Sequence, residues 1–180
     1  LIRRFVLPLI LFIIIVLEGV ALELLPLQLL SGDYFIVPHW LFIFLVYIAV
    51  FFDHNDTYYS VLYALIFGLL FDIVYTGILG VYMFSYALVI YIVHGIKKML
   101  QGNFYVLLLL ATFGIVLIEF TIYGIFSVVG MIDISLESFI LNRLAPTILL
   151  NLVFLIVIYP FSSKRLEKWK TEIPLGERMR

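Results

Sequence analysis

Long apolar runs alternate along this chain with short polar breaks, and the runs are as long as bilayer crossings. About 20 apolar residues in a helix span a hydrocarbon core of about 30 Å. Six such runs are legible: Phe5–Leu25, Phe35–Phe52, Tyr58–Tyr75, Ile78–Gly95, Phe104–Val129 and Phe139–Phe161. The breaks carry turn chemistry. Pro26 closes the first run, and Ser31-Gly32-Asp33 with Pro38 opens the second. Asp53-His54-Asn55-Asp56 separates the second from the third, with Asp56 or Thr57 as candidate caps. Tyr75-Thr76-Gly77 leaves room only for a tight hairpin, which makes the third and fourth spans antiparallel neighbours. Gln101-Gly102-Asn103 and residues 131–138 supply the remaining loops. The pattern predicts an all-α polytopic protein with a six-helix transmembrane domain over residues 1–161 and a basic tail over 162–180.

Composition explains why the solvent must be lipid. Of 180 residues, 65% are hydrophobic and 13% charged, and the mean hydropathy is +1.21. A soluble domain of this size could not hide so much apolar surface. Cysteine is absent, which excludes disulfides, thiolate metal sites, a cysteine nucleophile and a lipoprotein anchor.

The net charge of −1 conceals a strong segregation. Arg3 and Arg4, Lys97 and Lys98, and Lys164, Arg165, Lys168, Lys170, Arg178 and Arg180 all fall on one side of six crossings. By the positive-inside rule both termini are cytoplasmic. The opposite loops contain Asp33, Asp133 and Glu137 but no Lys or Arg. Arg3-Arg4 ahead of an apolar run also has the look of a signal peptide. The run exceeds a normal h-region, however, and no Ala-x-Ala site follows, so a retained anchor is expected.

Candidate chemistry lies inside the spans. At about 1.5 Å per residue from the cytoplasmic end, Glu18, Asp72 and Glu119 fall about 20–22 Å deep, while Arg143 lies about 6 Å below the outer edge. Ionisable groups at such depth are costly unless paired or functional. Three carboxylates around one arginine imply that at least one acid is protonated. Arg143, Thr147 and Asn151 recur every four residues as one polar stripe, and Ala64, Gly68 and Asp72 form a small-residue ridge. Both stripes are expected to face the interior. Two readings stay open: a structural polar network that fixes helix register, or a pocket or docking site for a ligand or a partner helix. Gly77 and Gly80 flank Asp72 and belong to the same candidate set.

His39, His54 and His94 have no metal-ligand spacing and read as interfacial side chains, leaving the buried acids without a histidine at their depth. Tyr82, Tyr86 and Tyr91 read as belt residues rather than a sugar platform. In the tail, Lys164, Arg165, Lys168 and Lys170 surround Trp169, as suits contact with anionic lipid or with a cytoplasmic partner. There is no nucleophile elbow, zinc pair or Walker loop, so neither an enzyme, a metal, a cofactor nor nucleic-acid binding is expected.

The Gly68-Leu69-Leu70-Phe71-Asp72 run, with Gly77 and Gly80 after it and a tyrosine-rich span following, resembles the rod shape-determining protein MreD family. The length, the multi-span layout, the short basic tail and the polar late helix with Asn151 resemble it too. Gly68, Asp72 and Gly80 match the family pattern, which implies packing or docking positions and no catalysis. The resemblance further implies a non-enzymatic scaffold of the cell-elongation machinery in the bacterial cytoplasmic membrane. Its implied partners are MreC, the MreB filament, the RodA glycosyltransferase and a class B penicillin-binding protein. The family also looks like the six-helix S components of vitamin transporters, which is the alternative function. The Ala-x-x-x-Ala ridge by which S components dock is missing from the first span, where Ala21 is the single alanine.

Overall fold

The computed structural model describes residues 2–24 and 35–171. The expected turn at Pro26 and Ser31-Gly32-Asp33, and the tail from residue 172 with Arg178 and Arg180, lie outside the described residues. So do the side chains of Arg3 and Arg4. Every regular element among the described residues is helical. We label them α1 (Ile2–Leu24), α2 (Trp40–Phe52), α3 (Tyr59–Thr76), α4 (Val81–Lys97), α5 (Phe104–Val128) and α6 (Leu136–Thr171). Stretches of α1, α3, α5 and α6 are long and apolar enough to cross a membrane, whereas α2 and α4 are shorter apolar helices.

The short helix α2 is the axis of the bundle. Its sequence is apolar on every side, the signature of a helix surrounded by protein, and residues 41–52 are all buried. It touches each of the other five helices. Lipid gives little hydrophobic drive for helices to associate, so close approach and internal hydrogen bonds must hold such a bundle. Gly114 of α5 admits the Phe42 ring, which lies 2.6 Å from where a Cβ would stand. Tyr47 donates its hydroxyl to the Leu155 carbonyl of α6 at 2.7 Å.

The hairpin of α3 and α4 forms as the sequence indicates. Gly68 lets the helices meet backbone to backbone, since a Cβ there would stand 2.8 Å from the Met83 Cα. The last turn of α3 widens, with the Gly77 N–H reaching back five residues to the Asp72 carbonyl at 2.9 Å. Gly77 (φ +66°) and Gly80 (φ +99°) then turn the chain through left-handed backbone that side chains rarely adopt.

The second and fourth spans begin later than expected. Residues 35–39 are extended, and α2 starts only at Trp40. Pro38 explains this, because a proline disfavours helix in the residue before it and cannot donate a hydrogen bond. Likewise Gly80 delays α4 to Val81.

Candidate functional site

Backbone that is not helical must find hydrogen-bond partners within the protein at membrane depth, because lipid offers none. Residues 35–39 find theirs on α6. Pro146 has no N–H, so the Asn142 carbonyl four residues earlier lacks its usual helical donor. That carbonyl accepts the Phe35 N–H at 2.9 Å. Thr147 Oγ1 accepts the Val37 N–H at 3.1 Å. Asn151 serves both sides of the strand-like segment. Its Oδ1 accepts the His39 N–H at 2.7 Å, and its Nδ2 donates to the Val37 carbonyl at 2.9 Å. The polar stripe of α6 is thus a surrogate ladder for five extended residues.

The buried carboxylates answer the same demand at helix starts, whose first N–H groups have no intrahelical partner. Glu18 of α1 accepts the Leu41 N–H of α2 at 2.7 Å through Oε2. Asp72 accepts three donors at the start of α4: Gly80 N–H at 2.9 Å, Tyr82 N–H at 2.9 Å and Met83 N–H at 3.1 Å. Asp53 takes the Ser60 N–H of α3 at 3.0 Å and its hydroxyl at 2.5 Å. Asp53 therefore does the work expected of Asp56 or Thr57, whose hydroxyl instead accepts the His54 N–H at 2.9 Å. In each case a carboxyl oxygen meets the positive end of a helix.

Glu119 is the exception. Fully buried on α5, it accepts from Arg143 Nε at 2.7 Å and from His39 Nε2 at 2.8 Å. A carboxylate can only accept, so His39 Nε2 donates to it, while Nδ1 shares a hydrogen bond with the Tyr86 hydroxyl at 3.0 Å. Tyr86 packs on Tyr82 with ring centroids 5.5 Å apart, and the Tyr82 ring lies 6.5 Å from His39.

Two expectations need correcting here. His39 is not interfacial but wholly buried and bonded to Glu119, so the acids do have a histidine at their depth. His94 is also buried, 3.6 Å from Asp53. Nor do three acids crowd one arginine: among the described residues Arg143 makes its ion pair with Glu119, while Glu18 and Asp72 face helix starts.

Other residues singled out from the sequence take their places around this network. Gly68 and Asp72 of the small-residue ridge face α4 and Ala64 is buried, whereas Thr147 and Asn151 face residues 37–39. Tyr82 and Tyr86 are buried, while Tyr91 is exposed. Lys164, Arg165 and Lys168 are exposed on the last turns of α6. Lys170 reaches back to donate to the Asp53 carbonyl at 2.9 Å.

Among the described residues the network reaches a surface recess at Arg143. Arg143, with a side chain 29% exposed, lines a recess of about 370 Å³ together with Phe35, Ile134, Ser138, Phe139 and Asn142. Sequence reading missed His39 and this recess. The available signal was Pro38, which forces extended backbone beside a polar stripe that has to bond something.

These features define a class: a helical, multi-span membrane protein whose intramembrane polar residues mostly complete its own backbone. Among the described residues no group of three His, Asp or Glu could hold a metal ion. A family model described as rod shape-determining protein MreD matches residues 3–168. The chain is also 32% identical over 160 residues to the rod shape-determining protein MreD of Bacillus subtilis (strain 168), covering 88% of this chain and 91% of that relative. No solved structure matches it. The chain belongs to the MreD family, whose members are shape-determining membrane proteins rather than enzymes. It resides in the bacterial cytoplasmic membrane and has a role in rod-shape determination.

Proposed function

We propose that the protein is a scaffold of the rod-shape machinery that crosses the membrane six times with both termini in the cytoplasm. It docks a MreC-type partner at the recess beside Arg143. Through that partner it associates with an MreB-type filament, and with a RodA-type glycosyltransferase and class B penicillin-binding protein engaged in peptidoglycan synthesis. Family membership supports the pathway, and the segregation of basic residues supports the orientation.

The observation that carries the docking site is the half-open guanidinium of Arg143, framed by Phe35, Ile134 and Phe139. An apolar rim around one cation suits a partner segment that brings apolar side chains and a carboxylate or carbonyl. A small-molecule carrier would need interior room at this level, where Tyr82, Tyr86 and His39 fill the space.

Filling the recess tests the reading without touching the ion pair. Ser138→Trp, a substitution at the recess wall, should abolish co-purification of the MreC-type partner while leaving thermal melting of the protein unchanged. Full partner recovery by that variant would remove the docking site from this face.

A further inference from the structure

A second pocket lies at the opposite end of the bundle, where α2 and α4 finish and α5 begins. It has a volume of about 310 Å³, and its lining includes Val50, Phe51, Lys97, Lys98, Leu100 and Lys170, with Asn55, Gly102 and Glu167 beside them. Gly102 matters to its shape, because a Cβ there would stand 3.1 Å from the Val50 carbonyl, so the α4–α5 loop can lie flat against α2.

The charge arrangement in this pocket is unusual. Lys97 is only 6% exposed, yet its ammonium group bonds a backbone carbonyl, that of Asp53, at 3.0 Å. Lys170 donates to the same oxygen at 2.9 Å, so two like charges are held within a few ångströms by one neutral acceptor. Lys98 donates to the Tyr58 hydroxyl at 3.0 Å and sits 4.9 Å over that ring. Among the described residues none of the three ammonium groups has an ion pair with a carboxylate. The Asp53 carboxylate is turned to Ser60 and His94 instead. Counting Asp53 and the exposed Glu167, the pocket still carries net positive charge.

The buried Lys97 ammonium is costly without an anion, and together with the half-buried Lys170 and the exposed Lys98 it forms a cluster that relaxes when an anion bridges it. The chemistry of the cradle selects the anion. Three point-charge donors on flexible stems suit a compact, multi-oxygen anion more than a planar carboxylate. The apolar wall of Val50, Phe51 and Leu100 offers contact to a glycerol or acyl portion beside it. Basic pockets between helices at a membrane surface are a known way to seat phosphate headgroups.

We propose that this pocket binds the phosphate of an anionic phospholipid headgroup, bridged by Lys97, Lys98 and Lys170. The lipid then ties α4 to the end of α6, and the pocket is a built site rather than a diffuse basic surface.

The test uses the full chain in detergent micelles, where no bilayer surface supplies background attraction. Lipid retention is counted by native mass spectrometry after addition of phosphatidylglycerol or phosphatidylcholine. One phosphatidylglycerol should be retained per chain in preference to phosphatidylcholine. At about 1.5 kcal/mol for each charged hydrogen bond, the double variant K98Q/K170Q should weaken retention about a hundredfold. The variant K164Q/K168Q removes the same charge from exposed positions on α6 and should retain the lipid like the parent. Displacement of the lipid by soluble glycerol phosphate, lost in K98Q/K170Q but not in K164Q/K168Q, would assign the recognition to the phosphate itself. Equal retention of the two lipids, or equal loss in both double variants, would overturn the proposal.

Discussion

Replacing Asp72 probes how the fold is held together, because its carboxylate serves three backbone donors at once. In Asp72→Leu the N–H groups of Gly80, Tyr82 and Met83 lose their acceptor together. Leaving a buried donor unpaired costs about 1–3 kcal/mol, and loss of an ordinary helix cap about 0.5–2. Tyr82 is buried, whereas Gly80 and Met83 are only partly so. The full penalty therefore applies once, with smaller contributions from the other two, giving about 3 kcal/mol in all. Asp72→Asn keeps one accepting oxygen but turns an amide donor toward N–H groups, so roughly half that loss is expected. Unfolding the purified protein by sodium dodecyl sulfate titration in mixed micelles, followed by circular dichroism, measures both variants. Membrane insertion should be unchanged, and partner recovery should fall only as far as the folded fraction falls. Parent-like stability of Asp72→Leu would refute the capping argument, and so would equal losses in Asn and Leu.

Four further outcomes are expected from the same unfolding assay. Gly68→Val should destabilise by about 1–3 kcal/mol through overpacking against Met83. Gly95→Ala, in open space on α4, should be neutral or slightly stabilising. Arg143→Leu should cost about 1–3 kcal/mol by leaving the buried Glu119 carboxylate with His39 as its remaining donor among the described residues, and adding Glu119→Gln should recover part of that loss. Asn151→Leu should destabilise by more than Thr147→Val, since Asn151 serves two backbone groups of residues 37–39 and Thr147 serves one.

Much of the architecture was legible because membrane helices advertise themselves by length and hydropathy. The tight turn at Tyr75-Thr76-Gly77 and the glycines beside Asp72 gave the α3–α4 hairpin. Gly68 sat on the predicted ridge and does bring the backbones together. The role of the acids was harder to read, because sequence signals for helix caps are local. Asp53 lies seven residues from the donor it satisfies, Asp72 lies ten from Tyr82, and Glu18 lies twenty-three from Leu41. Distances of that kind exist only after the helices have met. His39 was misjudged for a related reason: beside Trp40 and near a polar break, it had the composition of a membrane belt. The steric effect of Pro38 on the chain before it outweighed that composition.

The stitching of residues 35–39 to Thr147 and Asn151 joins positions more than a hundred residues apart. A ribosome delivers the N-terminal half of the chain to the membrane long before α6 exists. Until the last helix arrives, the approach to α2 has no partner for its N–H and C=O groups, and the bundle has no settled axis. Completion of this protein is therefore a late event in its synthesis. A chain cut short before Asn151 would carry an unfinished interior, with Val37 and His39 lacking the side chain that completes their hydrogen bonds.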